Sequence, residues 1–462
     1  MSDKPPISKS TLLPPTHKPP LTFGRMLLIY VVLALMPYLY SLTQGLEYRG
    51  VYVTLLTACN IAFFAALLAQ YPLAGRIKAV TKITGLDNGM KLHRKAGEYI
   101  ALFFFLHPFL ILAPRFIHAP QKTLDDAWTT FIAGEASTGV FAWAVMTVWV
   151  LMAVFKDKLK MSYEAWRISH GLGLVAVIIL GTHHAATVGR HGRYSALFDV
   201  MWIVLCTIAV AIVAYTYFVR PVLQKKRPFK LVSAERLSTS DWALTIEKDA
   251  DFPFEFDAGQ FLWINTSGNA FNRSEHPYSI ASSPTSLPQV SFVVRELGDF
   301  SSNLDKLKPG QRVYVDGPHG VFTLNGRQAS GIALIAGGAG IGPNLGILRQ
   351  LVDLKETRPV RMIYGNRRYD QMCVQEEIGV YEKALPDFKQ HLVLEAEEDG
   401  VKAEHIGYID KDFLGAQFNE DQRNNWIFYV CGPPVMVDAV TDHLRALGVP
   451  EKQILFEQLS FE

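Results

Sequence analysis

The stretch that decides the fold is Leu92-His93-Arg94-Lys95-Ala96-Gly97-Glu98-Tyr99, followed by an apolar run that ends in Leu106-His107-Pro108. His93 and His107 are 14 residues apart. On an α-helix that is a rise of roughly 21 Å and four turns less about 40°, so both imidazoles share one face. Their heights differ by about two-thirds of a bilayer's hydrocarbon thickness. A second apolar segment carries His170 and then His183-His184, 13 and 14 residues further on. One histidine in an apolar helix is ordinarily hydrogen-bonded packing. Matched spacing on two helices is different, because ionisable groups inside a membrane are costly and usually functional. Two such helices would clamp two stacked planar cofactors. Haem fits that role, since neutral imidazole is a good axial ligand to its iron. On an ideal helix His184 lies nearer the face of His170, with His183 rotated about 140° away.

The flanking sequence supplies the membrane. Long apolar segments run at 22–44, 51–71, 95–113, 137–155, 165–187 and 197–220. Six spans put both ends of the domain on one side. The 72–95 loop, the 156–167 loop, the lysine-bearing start and the exit at Arg220-Arg227 carry most cations, so that side is cytoplasmic. A multi-pass protein of the inner (plasma) membrane is expected, with both termini inside. Helices three and five then run the same way, which pairs His93 with His170 near the inner face and His107 with His183 or His184 near the outer. Residues 1–21 hold six prolines and read as a disordered cytoplasmic tail. A net charge of +2 over 462 residues argues against a nucleic-acid partner. Cys59, Cys206, Cys373 and Cys431 have no C-x-x-C spacing, which excludes a disulfide framework and the usual zinc and iron–sulfur patterns.

Past Arg220 the composition changes to soluble α+β. Residues 227–327 alternate β-branched and polar positions between turn signals, which predicts a small antiparallel β-barrel. Residues 328–462 switch to strand, glycine turn and helix, which predicts an α/β domain with a parallel sheet. The whole chain, then, is an all-α six-helix transmembrane bundle over 22–220 followed by two soluble domains. Gly337-Gly338-Ala339-Gly340-Ile341-Gly342-Pro343 follows an apolar strand directly. Its glycines would let the backbone approach a pyrophosphate at the following helix start. Cys431-Gly432-Pro433-Pro434-Val435-Met436 ends the last strand expected, where open α/β sheets place ligands. Arg367 and Arg368 end another and offer cations to a ribose phosphate. His276-Pro277-Tyr278-Ser279 in the barrel offers an aromatic face and a hydroxyl to a flat ring.

On these motifs the soluble half resembles the ferredoxin–NADP reductase superfamily. The whole chain after residue 22 is similar to bacterial members of the ferric reductase / NADPH oxidase family. The resemblance implies two haem b groups held by two histidines on each of helices three and five. The family's usual spacing is that of His170 to His183, so the resemblance names His93, His107, His170 and His183 as iron ligands. It implies FAD at His276-Pro277-Tyr278-Ser279 and at the turn Gly298-Asp299-Phe300-Ser301, with Arg295 between them a further cofactor-binding residue. It implies pyridine nucleotide at Gly337, Gly338, Gly340, Ile341, Gly342 and Pro343 and at Cys431, Gly432 and Pro433. Gly342 stands where the family usually has threonine, and Glu395-Ala396-Glu397 replaces a common Ser-Arg pair. NADPH over NADH therefore rests on Arg367 and Arg368. An aromatic near the C-terminus commonly covers the flavin in this superfamily, which makes Phe461 the candidate beside Tyr278 and Ser279 in catalysis.

The function so implied is electron transfer from cytoplasmic NADPH or NADH through FAD and two haems to an outer acceptor. Oxygen would make the protein a superoxide-forming oxidase, and a ferric chelate would make it a reductase. A periplasmic protein acceptor is the alternative. A non-catalytic haem-binding membrane module is the competing class, and it would leave the flavin and nucleotide motifs without a role.

Overall fold

The computed structural model describes residues 10–14, 21–45, 48–74, 77–129, 134, 136–155, 158–159, 161–189 and 195–458. The chain divides into a helical unit, Pro20–Pro221, and a mixed unit built from Val222–Glu462 together with Met1–Pro19.

The helical unit contains α1 (Phe23–Thr43), α2 (Val51–Leu68, carried on by Gln70–Leu73), α3 (Leu86–His118), α4 (Ser137–Val154), α5 (Tyr163–Thr187) and α6 (Ala196–Ala214). Among the described residues, six helices are long and apolar enough to cross a membrane. Leu28, Phe109 and Phe141 stand exposed, which suits lipid and not water. Inside, Leu92, Ile100, Ile178 and Trp202 pack into one cluster with Phe64. Small residues set the spacing, as is usual where lipid gives helices no hydrophobic reason to associate. A Cβ on Gly173 would lie 2.0 Å from the Trp149 ring, and one on Gly181 2.9 Å from Phe64. Trp149 Nε1 then donates to the Ser169 carbonyl at 2.5 Å, tying α4 to α5. Helix α3 begins nine residues before the apolar run expected at 95, and Pro108 and Pro114 lie within it. The polar turns around Lys91 and Arg94 continue the same hydrogen-bond ladder, because helix formation does not stop where the apolar run does.

In the mixed unit, the first sheet holds β2 (Phe229–Arg236), β3 (Asp241–Lys248), β4 (Phe261–Asn265), β5 (His276–Ser279), β6 (Gln289–Arg295) and β7 (Arg312–His319). Its order is β5-β4-β7-β2-β3-β6, and every pairing is antiparallel. Leu244, Ile246, Leu262, Ile264, Val290, Phe292 and Val294 fill one face, as strand alternation requires. The expected barrel is not closed by a ladder. The two edge strands meet only at the bridge between Ile280 and Phe292. Strand β5 has four residues, and the chain turns away soon after Ile280, which leaves little backbone to pair.

The second sheet is parallel throughout, ordered β12-β11-β10-β9-β13-β14. It comprises β9 (Ile332–Gly337), β10 (Val360–Asn366), β11 (Phe388–Leu394), β12 (His405–Ile406), β13 (Ile427–Gly432) and β14 (Ile454–Gln458). Helices α7 (Ile341–Asp353), α8 (Gln375–Ala384) and α9 (Pro434–Ala446) are among those that cover it. Strands β9 and β13 are buried along their whole length, which is why both read as unbroken apolar runs.

Residues 10–14 correct the expectation of a disordered tail. Strand β1 (Ser10–Thr11) pairs antiparallel with β8 (Gln328–Ala329), and Leu12 is buried in the core beneath the parallel sheet. The Arg358 guanidinium, paired with Glu356 at 2.6 Å, donates to the Ser10 hydroxyl at 3.0 Å. The proline-rich composition masked a short extended segment, which proline does not forbid when it lies outside the ladder. Leu12→Asp would bury an unpaired carboxylate. It should release this strap and speed hydrogen exchange at the amides of Leu12 and Gly326, which donate to Arg327 and Leu13. Unchanged exchange there would show that the strap contributes no stability.

Candidate functional site

In the helical unit the four histidine positions fall into two pairs. His93 on α3 and His170 on α5 are close enough to influence each other electrostatically, and so are His107 and His184. His183, the expected ligand, is exposed, and His184 faces inward. A Cβ on Gly139 would lie 2.5 Å from the His184 ring, so α4 leaves that imidazole its space. The Nδ1 atoms of His93, His170 and His184 are buried with no hydrogen-bond partner among the described residues. His107 Nδ1 lies 2.9 Å from Asn60 Oδ1. That contact makes Nδ1 the protonated nitrogen and leaves Nε2 with its lone pair free, the state an axial ligand needs. Orphaned imidazole nitrogens, apolar walls and one orienting amide fit a planar iron macrocycle.

In the mixed unit the two sheets meet at their functional motifs. A Cβ on Gly340 would lie 2.1 Å from the Cys431 carbonyl, and one on Gly337 2.0 Å from Met436 Sδ. The glycine turn after β9 and the Cys431-Gly432-Pro433 turn after β13 are therefore one surface, which explains their glycines. Helix α7 starts at Ile341 directly after the turn and runs beside the flavin strands. A Cβ on Gly346 would sit 2.6 Å from the Ile280 carbonyl, whereas at Gly342 the nearest atom, the Ser279 carbonyl oxygen, is 3.7 Å away. Pro343 is buried in the same first turn.

Arg295 joins the two sheets. Its Nε and Nη2 donate to Asp241 Oδ1 and Oδ2, both at 2.9 Å, and Asp241 is fully buried. The hydroxyls of Ser238 and Ser240 donate to the same carboxylate at 2.9 and 2.7 Å. So held, the guanidinium reaches Asn366 at the end of β10 and lies 2.2 Å from where a Cβ on Gly338 would stand. Only glycine fits there, and its φ of +53° suits glycine as well. Burial weakens the Arg295 charge, but the Asp241 hydrogen bonds outweigh it and raise its pKa.

At the flavin motif, the His276 ring stacks on Phe300 with centroids 4.1 Å apart. The Tyr278 ring lies 6.1 Å from Phe300, and burial pushes the Tyr278 phenol up, so it stays protonated. Ser279 is buried at the strand end. Ser301 Oγ accepts from the amides of Leu297 and Gly298 at 2.9 and 3.0 Å, so this hydroxyl shapes the turn expected to meet FAD. Cys431 is buried, and burial drives its thiol pKa up, which leaves it inert. Arg367 and Arg368 stand at the end of β10, each already beside a carboxylate, Glu395 at 3.7 Å and Asp370 at 3.0 Å. Phe461 lies outside the described residues.

Comparison with known proteins decides the family. Residues 59–181 match the ferric reductase like transmembrane component, residues 228–324 the oxidoreductase FAD-binding domain, and residues 334–442 the oxidoreductase NAD-binding domain. The chain is a ferric-reductase-like fusion. Its order, membrane component then FAD-binding then NAD-binding domain, is that of the ferric reductase / NADPH oxidase-like fusions. The fusion is 30% identical over 214 residues to the reductase component of propane 2-monooxygenase from Mycolicibacterium goodii, covering 45% of this chain and 60% of that protein. It is 26% identical over 262 residues to NADH-cytochrome b5 reductase 1 from Kluyveromyces lactis, covering 54% of this chain and 92% of that one. A solved structure of the cytochrome P450 reductase GcoB from Amycolatopsis aligns with a TM-score of 0.45 at 21% identity, covering 50% of this chain and 69% of that one. The chain spans about 60% of the length of the curated relatives it matches first.

Asn60 and Asp241 escaped the sequence reading of the fusion. A lone asparagine beside Cys59 in an apolar helix was a usable signal. Asp241, between two turn-forming serines and a strand, carried none. Asp241→Asn keeps the shape and removes the charge that aims Arg295. Breaking a buried ion pair costs about 3–5 kcal/mol, so the unfolding midpoint of the mixed unit should fall. NADH binding to the variant should weaken on the order of tenfold. Equal NADH affinity in variant and wild type would make Arg295 a structural group only.

A second tie is Arg349 on α7, which donates to Glu377 at 2.6 and 2.7 Å and to the Ala281 carbonyl at 2.8 Å. Burial opposes the Glu377 carboxylate, but the Arg349 hydrogen bonds outweigh it and hold its pKa below the usual value. A depressed pKa stabilises above the ordinary carboxylate range, and that contribution is lost as pH falls through the lowered value. Glu377→Gln should therefore lower the unfolding midpoint near pH 7, by an amount that shrinks as pH falls below the ordinary carboxylate range. A difference that does not change with pH would refute the clamp.

Proposed function

We propose that this protein carries electrons across a membrane, from NAD(P)H through FAD and two b-type haems to an acceptor on the outer face. One observation supports the reading: a single chain holds two histidine pairs shared between α3 and α5 and, in its mixed unit, a glycine turn set against Arg295 and the Cys431 carbonyl. His93 and His170 would hold the inner haem, and His107 and His184 the outer one. His184 replaces His183 in this reading because its Nδ1 is buried while His183 is exposed, in agreement with ideal helical periodicity. The bound FAD and haems supply what no side chain can, the splitting of a hydride's two electrons and their single-file passage across the hydrocarbon layer.

The chain's own groups bind and orient. Asn60 holds the His107 tautomer, and Asp241 aims Arg295 at the glycine turn, where a guanidinium neutralises pyrophosphate charge. Tyr278 keeps its proton and offers a ring face and a hydroxyl donor. Gly337, Gly338 and Gly340 let the dinucleotide approach the backbone, and Gly346 lets α7 bring that turn beside Ser279. The charge distribution of the loops supports a cytoplasmic position for both soluble domains and both termini, in a plasma membrane. One NAD(P)H yields NAD(P)⁺, one proton and two electrons, enough for two oxygen molecules to become superoxide or two ferric ions to become ferrous.

His107→Leu should halve haem content and leave flavin reduction by NAD(P)H intact. His184→Leu should do the same, whereas His183→Leu should keep full haem. Loss of haem in the His183 variant alone would reverse the ligand choice. A wild-type protein whose haem spectrum does not respond to either nucleotide under anaerobic conditions would refute the whole reading.

A further inference from the structure

The ends of β10 and β11 say which nucleotide the protein takes. If the glycine turn after β9 receives the dinucleotide's phosphates, the adenosine ribose falls a strand or two away. Strands β10 and β11 are the next two outward on that side, each about 4.8 Å further on. Ligands of open sheets lie outside the carboxyl ends of the strands, so the relevant residues are 366–370 and 395–399.

These two segments contain two guanidinium groups, Arg367 and Arg368, and five carboxylates, Asp370, Glu395, Glu397, Glu398 and Asp399. Both arginines are engaged, Arg367 with Glu395 and Arg368 with Asp370. The Tyr369 amide donates to Glu398 at 3.0 Å, which brings a further carboxylate against the arginine loop. Exposed pairs of this kind are worth less than about 1 kcal/mol each, so the pairs themselves would not block a phosphate. The charge excess would. A 2′-phosphate brings between one and two further negative charges, and those arginines reach it only from among these carboxylates.

Glu395 is also the best-placed of the five. Asn366 and Leu394 are register partners in the parallel ladder, and the Glu395 amide donates to the Asn366 carbonyl at 3.3 Å. Asn366 is itself pinned, its Nδ2 donating to the Gln371 carbonyl at 2.8 Å and its Oδ1 accepting from the Arg367 amide at 3.2 Å. The base of the Glu395 side chain is thus anchored to the strand end that Arg295 also reaches. A carboxylate accepts hydrogen bonds and donates none, which suits a free ribose hydroxyl and repels a phosphate there.

We infer that this protein uses NADH in preference to NADPH, and that Glu395 is the residue that decides it, accepting from the adenosine ribose and excluding the 2′-phosphate. The inference rests on the reading of the α/β domain as the dinucleotide site. It replaces the role expected of Arg367 and Arg368, whose guanidinium groups serve instead to hold the acidic loops.

The test measures equilibrium binding of NAD⁺ and NADP⁺ to the detergent-solubilised, FAD-loaded full chain, with kcat/KM for NADH and NADPH beside it. Wild type should bind NAD⁺ at least tenfold more tightly than NADP⁺. Glu395→Gln, at an exposed position, should narrow that ratio at least fivefold by improving NADP⁺ binding, and added salt should narrow it in wild type. Arg367→Ala with Arg368→Ala should not weaken NADP⁺ selectively. Tighter binding of NADP⁺ by wild type, or a ratio unmoved by Glu395→Gln, would overturn the inference and leave the electron-transfer reading standing. Failure to bind either nucleotide would overturn both.

Discussion

The mixed unit depends on two backbones meeting where no side chain can fit between them. At the turn after β9, residues 337, 338 and 340 each face a neighbour so near that one extra carbon would collide with it, and those neighbours are Met436, Arg295 and the Cys431 carbonyl. The closeness brings the end of one sheet into reach of a guanidinium rooted in the other. It also explains why a fully buried Asp241 is tolerable. Its carboxylate receives two bonds from Arg295 and one from each of two serines, so its desolvation is compensated within the protein.

The helical unit solves a different problem. An imidazole in hydrocarbon is expensive, and His93, His107, His170, His183 and His184 all lie within two apolar helices. Their spacing along α3 and α5 places the cost at two depths, and Asn60 from α2 satisfies one of them. Helix α5 packs through Gly173 and Gly181, and α4 meets it through Gly139, each opposite an aromatic or imidazole ring. Small residues thus serve two ends, close packing at two positions and room for His184 at the third.

Much of this was legible in the residues. The apolar spans, the change to mixed composition past Arg220, the glycine turns and the histidine spacing all follow from periodicity and residue type, which act locally. What escaped depends on partners far along the chain. The inward rotation of His184 is the exception, since ideal helical periodicity gives it and only the spacing implied by the resemblance pointed to His183. That Arg367 is spoken for by Glu395 follows from the parallel register of β10 and β11, which no local pattern states. Closure of the barrel is a similar matter: alternation identifies strands, but how the edges meet, here at the bridge between Ile280 and Phe292, is a contact between distant residues.

The strap at residues 10–14 makes the membrane helices an insertion within the mixed unit, entered after the first strand and left before the second. In the order of synthesis, β1 emerges first and is completed late, since Gln328 and Ala329 must be made before it can pair. The entropic cost of a longer loop grows only logarithmically, at about 0.6 kcal/mol per doubling, so the length of the insertion is no bar to that pairing. Once paired, the two units are joined by two stretches of chain, one on each side of the helices. A proteolytic nick in the stretch after the helices would then leave the strap at residues 10–14 as the tie between them and the mixed unit.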